Sequence, residues 1–278
     1  LSNVGRFRVS IFRQRGNIGL VMRVIPHYIG TFEELNLPPV LGNITKAPNG
    51  LILVCGPTGN GKSTTLASMI RHINDNFNYS VVTIEDPIEY IFHSNKSCII
   101  QREVGIDTEG FGGALKAAMR MDPDVIMVGE MRDLETIDAC IKAAETGHLV
   151  LSTLHTHNAA STISRIVGYF PPQAQESLRH RLAEIIVATV SLRLVRGKSG
   201  ETVLPAMEVM YATATIKACI RDGHLDELEQ YIEKGRDEYN MQTLDQHLVQ
   251  LCKKEIITLD EARRISRTTD LERKLLYS

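Results

Sequence analysis

The sequence predicts an α/β fold: a mostly parallel sheet with helices between its strands, preceded by a β-hairpin and followed by a helical region. Three observations carry this. From about Pro39 onward, short apolar runs alternate with stretches of helical spacing, which is how βαβ units on a parallel sheet read. The stretch "GPTGNGKSTT", residues 56–65, places a glycine-rich turn between the first such strand and helix. Beyond about residue 213 only helical patterns remain.

Taken in order, "RFRVSIF" and "IGLVMRVI" read as two strands joined by "RQRGN", a turn of hairpin type. The segment 26–39, "PHYIGTFEELNLPP", carries three prolines and a short helical piece with Thr31 as N-cap, and reads as a linker. Next come the strand "LILVCG", a helix over 62–74, the strand "VVTIED" and the helix "EGFGGALKAAMRMD". The strand "DVIMVGE", the helix "LETIDACIKAAETG" and the strand "LVLSTLH" follow. The helical region holds "GHLDELEQYIEKG", "TLDQHLVQLCKKE" and "TLDEARRISR", with Thr243 and Thr258 as N-caps and Gly223 and Gly235 as stops.

Composition narrows the function classes. The 278 residues carry a net charge of −2 with no long basic block, which argues against a nucleic-acid motor with a basic track. Five scattered cysteines, none in a C-x-x-C pair, suggest reduced cytoplasmic thiols and neither a zinc site nor a disulfide framework. No apolar run approaches the roughly 20 residues of a membrane span. The opening "LSNVGRFRVSIF" has neither an initiating Met nor a signal-peptide pattern, so the chain is expected to start inside a domain.

Residues 56–63 fit G-x-x-x-x-G-K-S, a phosphate-binding loop. Gly56, Gly59 and Gly61 let backbone N–H groups turn inward, Lys62 reaches β- and γ-phosphates, and the Ser63 hydroxyl ligands Mg²⁺. Pro57, Thr58, Asn60 and Thr64 complete the nucleotide-binding set. "VVTIEDPIEY" ends in Glu85, Asp86 and Glu89, and carboxylates at the C-terminal end of a parallel strand face the ligand crevice. A solvated turn does not require three of them. Glu130 closes the buried strand of "DPDVIMVGEMRD", where Mg²⁺, held through water, or the attacking water must be managed. Gly129 stands where many phosphate-loop proteins carry Asp, so the metal leans more on Ser63 and on water. In "GHLVLSTLHTHNA", His148 precedes a strand and His155 follows it, and either imidazole suits a γ-phosphate sensor or a structural post. Thr153 suits a phosphate sensor as well, although the structural reading is favoured, and His157 carries no assigned role.

These boxes in this order ("GPTGNGKSTT", "TIEDPIEY", "DVIMVGEMRD", "GHLVLSTLHT") resemble the secretion ATPase superfamily. "QREVGIDTEGF", "GEMRD", "MQTLDQHLVQL" and "LDEARR" are most similar to the type IV pilus retraction ATPases, the PilT/PilU branch. "DPDVIMVGEMRD" leans to the first paralogue; "CIIQREVGIDTE", "FPP" and "LERKLL" lean to the second. The tetracysteine zinc module usual in the assembly and type II secretion branches has no counterpart among these cysteines.

The resemblance implies a RecA-like ATPase domain over 39–278, a linker at 31–38, and the end of a PAS-like N-terminal domain at 1–30. It implies ATP and Mg²⁺, a cytoplasmic homo-hexamer at the inner face of the bacterial inner membrane, a membrane-platform partner, no direct nucleic-acid contact, and pilus retraction in twitching motility. By position, Glu130 matches the catalytic glutamate, Glu85 and Glu89 the acidic box, and His148 and His155 the histidine pair. One acidic-box glutamate would activate water, with Glu89 slightly preferred. Arg8 and Arg23 match two arginines that the N-terminal domain lends to the nucleotide, with Arg102 and Arg132 in second line. The ATPase of a related type IV or type II secretion system is the alternative reading. A nucleic-acid motor and a non-catalytic nucleotide switch stand behind it.

Overall fold

Val, Leu and Ile fill the runs at 50–55, 81–84, 125–128 and 149–154 without polar alternation, so these strands belong inside a sheet covered on both faces. A computed structural model of the chain, which describes residues 6–26, 28–268, 271 and 275, places them there. The seven-stranded sheet has the order β5-β4-β6-β7-β3-β8-β9. Its strands are β3 (Gly50–Cys55), β4 (Ser80–Glu85), β5 (Cys98–Glu103), β6 (Val125–Val128), β7 (Leu149–Leu154), β8 (Ile186–Arg196) and β9 (Val203–Tyr211). All neighbours are parallel except β8 and β9, which pair antiparallel.

Helices cover both faces. On one, α1 (Val40–Ile44) and α2 (Lys62–Asn76) pack Leu41, Ile44, Met69, Ile70 and Ile73 against Ile52, Val54 and Val81. On the other lie α3 (Phe111–Ala118), α4 (Leu134–Glu145), α5 (Ala159–Gly168), α6 (Pro172–Ile185), α7 (Ala214–Asp222) and α8 (Leu228–Lys234), around Leu53, Ile84, Ile137, Ile163 and Leu182. After α9 (Arg236–Tyr239), α10 (Leu244–Lys253) and α11 (Leu259–Ile265) form a third cluster with Val195, Leu204 and Ala206 of the β8–β9 hairpin. Thr243 and Thr258 cap α10 and α11, each accepting from the backbone N–H three residues on. Gly223 ends α7 in the left-handed conformation, whereas Gly235 separates α8 from α9 at an ordinary negative φ.

The expected first hairpin is β1 (Arg6–Gln14) and β2 (Asn17–Ile25), a sheet of its own. Its two-residue turn, Arg15–Gly16, has both φ angles positive, the geometry that matches strand twist. Residues 32–36 form turns rather than the expected helical piece, although the Thr31 hydroxyl does accept from the Glu34 N–H. This stretch is docked: Phe32, Leu35 and Leu37 pack on the α1–α2 cluster, and Ser68 of α2 donates to the Gly30 carbonyl. Among the described residues, no helix is long and apolar enough to cross a membrane.

Candidate functional site

The strand order assembles the site. β4, β6, β7 and β3 lie side by side and parallel, so whatever follows each strand emerges along one edge of the sheet. Glu85 ends β4, Glu130 follows β6, His155 follows β7, and the phosphate loop follows β3. Four segments far apart in sequence thereby meet at the crevice where α/β sheets bind ligands. A cleft of about 740 Å³ occupies this edge.

Gly56, with φ +148°, passes so close to β8 that a Cβ would stand 2.8 Å from the Leu192 carbonyl oxygen. Gly61, with φ +85°, is the N-cap of α2, which starts the helix from a left-handed residue that strongly favours glycine. Asn60 accepts the Leu194 N–H at 2.9 Å and moors the loop to β8. Thr58, Gly59, Gly61, Lys62, Ser63 and Thr64 line the cleft, while Gly56, Pro57 and Asn60 form the loop's supporting side. The Lys62 ammonium donates to the carbonyls of Gly56 (2.9 Å) and Pro57 (3.1 Å). Burial lowers its pKa from the ordinary lysine value.

Glu130 is the centre of the polar cluster, its side chain only 12% exposed. Oε2 lies 3.1 Å from His155 Nε2, and Oε1 is in close contact with the Arg132 guanidinium. The other imidazole nitrogen, Nδ1, is 3.4 Å from the Thr58 hydroxyl and 3.5 Å from Lys62 Nζ. His155 therefore bridges the phosphate loop and the carboxylate. Burial, then Lys62 and Arg132, push its pKa below the ordinary histidine value and favour the neutral ring.

The two acidic-box glutamates are in different settings. Glu85 is buried and accepts from Thr83 (2.7 Å) and Gln101 (3.1 Å), and burial raises its pKa against those bonds. Glu89 accepts the Arg8 guanidinium of β1 at 2.6 Å. Arg8 and Arg23 are directly opposite on the hairpin, and both line the cleft. Like charges so paired are unfavourable; Glu89 neutralises one of them.

His148 is not brought to this cluster. It precedes β7 and lies at the opposite end of a six-residue strand, roughly 20 Å from His155 at about 3.3 Å per residue. There its Nδ1 faces the Ala143 carbonyl at 2.9 Å, a structural contact, so a role at this cleft is corrected. Thr153 lines the cleft and donates to the Gly129 carbonyl at 2.7 Å. Arg102 donates to the Asp107 carbonyl outside the cleft, whereas Arg132 reaches Glu130.

Sequence reading missed Tyr90 and Gln101. The Tyr90 hydroxyl lies 2.9 Å from Thr64 Oγ1, tying the acidic box to α2. Gln101 donates to the Tyr90 carbonyl and accepts the Phe92 N–H, clasping the same loop. Tyr90 ends the quoted acidic box, but a lone phenol does not announce a partner 26 residues away.

The donor set suits Mg²⁺ together with a nucleotide. Magnesium keeps several waters and takes one or two protein oxygens plus phosphate oxygens, and the cleft offers the Ser63 hydroxyl and the Glu130 carboxylate beside a phosphate cradle. No cluster of three or more His, Cys, Asp or Glu ligands occurs among the described residues.

The pattern of the family "Type II/IV secretion system protein" matches residues 6–271. The type IV pilus retraction ATPase PilT of Pseudomonas aeruginosa is 45% identical over 260 residues, 94% of this chain and 75% of that protein. The type IV pilus ATPase PilU of the same organism is 43% identical over 260 residues, 93% of this chain and 68% of that protein. A crystal structure of the pilus retraction motor PilT with bound ADP superposes with a TM-score of 0.92 at 45% identity, covering 98% of this chain and 78% of that one. Fold, ordered boxes and family pattern agree: this chain belongs to the type II/IV secretion system protein family.

Proposed function

We propose that this chain hydrolyses ATP and is the motor subunit of type IV pilus retraction. The observation that carries the chemistry is the contact chain from Lys62 and Thr58 through His155 to Glu130 at the mouth of the phosphate loop. Its similarity to two pilus ATPases and to a retraction motor supports the biological role.

In this reading the amides of residues 56–64 and the Lys62 ammonium hold the β- and γ-phosphates of the substrate. Ser63 and, through water, Glu130 would hold Mg²⁺, which when bound neutralises charge on the phosphate oxygens. Glu130 orients the attacking water and takes its proton, and neutral His155 fixes the carboxylate relative to the phosphate loop. Glu85 and Glu89 flank the water. Glu89 also holds Arg8 at the rim, from which Arg8 and Arg23 close on the γ-phosphate as charge spreads over it. In this account 1–30 belongs to a PAS-like domain, 31–38 is the linker, and 39–278 is the RecA-like motor. The working unit is a cytoplasmic homo-hexamer acting on an inner-membrane platform protein.

A retraction-deficient deletion strain complemented with this chain in its full-length form tests the role. Restored twitching, lost again with Lys62→Ala, is the expected result. Wild-type turnover in vitro without any restoration would point to a related secretion system instead.

A further inference from the structure

Glu208, on β9, is a carboxylate only 1% exposed in the interior behind the site. Its Oε1 accepts the backbone N–H of Ala159 at 2.7 Å and the Ser191 hydroxyl at 3.3 Å. Its Oε2 accepts Nη1 of Arg267 at 2.5 Å, from the segment that follows α11. The other arm of the same guanidinium, Nη2, donates to the carbonyl of His157. One fork thus holds both a buried carboxylate and the backbone turn that this carboxylate also holds.

The arginine is itself held. Asp245 of α10, 2% exposed, accepts from the Ser266 hydroxyl (3.0 Å), the Arg267 N–H (3.2 Å) and the Thr268 hydroxyl (2.7 Å). A buried ion pair is poor evidence of stabilisation, since apolar replacements often serve as well. What it does secure is one geometry, and here the backbone groups secured are the His157 carbonyl and the Ala159 N–H. That turn begins two residues after His155, the ring joining the phosphate loop to Glu130.

We propose that Glu208 and Arg267 are positioning residues, a buried clamp through which the segment after α11 holds the His157–Ala159 turn and so sets His155 against Glu130. The proposal rests on reading the cleft as the site of ATP hydrolysis. It makes the C-terminal segment, outside the nucleotide cleft, a part that the chemistry depends on.

The test compares wild type with Arg267→Ala, Arg267→Lys, His155→Ala and the Arg267→Ala/His155→Ala double variant in the full chain. It measures steady-state ATP turnover and hydrogen exchange at the Ala159 amide. Lysine keeps the charge beside Glu208 but cannot span both acceptors, so that variant remains informative if the alanine variant does not fold. Both Arg267 variants should lower kcat on the order of tenfold, with KM changed less than about threefold, as expected for a displaced catalytic group. The Ala159 amide should exchange about tenfold faster or more. In the His155→Ala background, removing Arg267 should change kcat less than about twofold, because residues acting through one group do not multiply. Wild-type kcat and full Ala159 protection in Arg267→Lys would overturn the proposal. So would losses that multiply in the double variant, the behaviour of a purely structural pair. If the wild type shows no turnover, the reading of the cleft has failed, and exchange at Ala159 still decides the clamp.

Discussion

His155 shows how one side chain acquires its chemistry from its surroundings. Half exposed, it still has a depressed pKa because burial and the nearby Lys62 and Arg132 cations disfavour the imidazolium. A depressed value means that the ring takes up its proton at a lower pH than a free histidine does. The acid limb of kcat/KM assigned to His155 should therefore lie below pH 6.5. A pH–rate profile of wild type and His155→Gln checks this, the variant losing that limb. A limb above pH 6.5 that vanishes in His155→Gln would contradict the placement of the ring beside two cations. Lys62 offers a second test. Lys62→Ala removes the point charge beside the phosphates and should weaken nucleotide binding at least about tenfold, as loss of a charged contact does. Titration with a fluorescent ATP analogue reads that directly.

At the scale of elements, β8 and β9 support the loop and carry α10. His247 of α10 accepts the Met207 N–H of β9 through Nδ1 at 2.9 Å. Burial, then Lys254, lower its pKa to about 4. The sign follows from linkage. In the unfolded chain this histidine protonates near pH 6.5, in the fold only near 4, so acid drives protons onto the unfolded state. Stability should fall as pH drops from about 6.5 to about 4, by on the order of 3 kcal/mol at most from this group. Denaturant titrations of wild type and His247→Gln at several pH values check this; an equal slope in both would contradict it. The phosphate loop, the acidic and histidine boxes and the caps at Thr243 and Thr258 were legible because spacing and residue type report them locally. β8 and β9 were not. "IVATVSLRLVR" is an apolar run without turn signals, and Pro205 argues against a strand until β9 is seen to be the sheet's edge, where proline is tolerated. His148 misled because sequence proximity to a strand does not say which end of the sheet it occupies. The Glu208–Arg267 clamp joins residues 59 positions apart, beyond the reach of any periodicity.

At the largest scale a hairpin leans over the cleft of the α/β domain. The hairpin leaves Ile11, Ile18 and Val24 about 70% exposed, yet turns Arg8 and Arg23 into the cleft. In the proposed mechanism those arginines close on the γ-phosphate together with the hairpin, so Arg8→Ala and Arg23→Ala should each cut turnover at least about tenfold with smaller losses in binding. In the proposed homo-hexamer, doping either variant into wild-type subunits should lower activity faster than the mutant fraction rises, whereas a proportional decline would mean uncoupled subunits. The proposed ATP hydrolysis turns on Glu130, beside the phosphate loop and held by His155. Its most direct test is turnover by Glu130→Gln, with ATP binding measured on the same protein. ATP binding should stay within a few-fold of wild type and hydrolysis should be at least about 100-fold slower; more than half of wild-type turnover would mean that Glu130 is not the catalytic carboxylate.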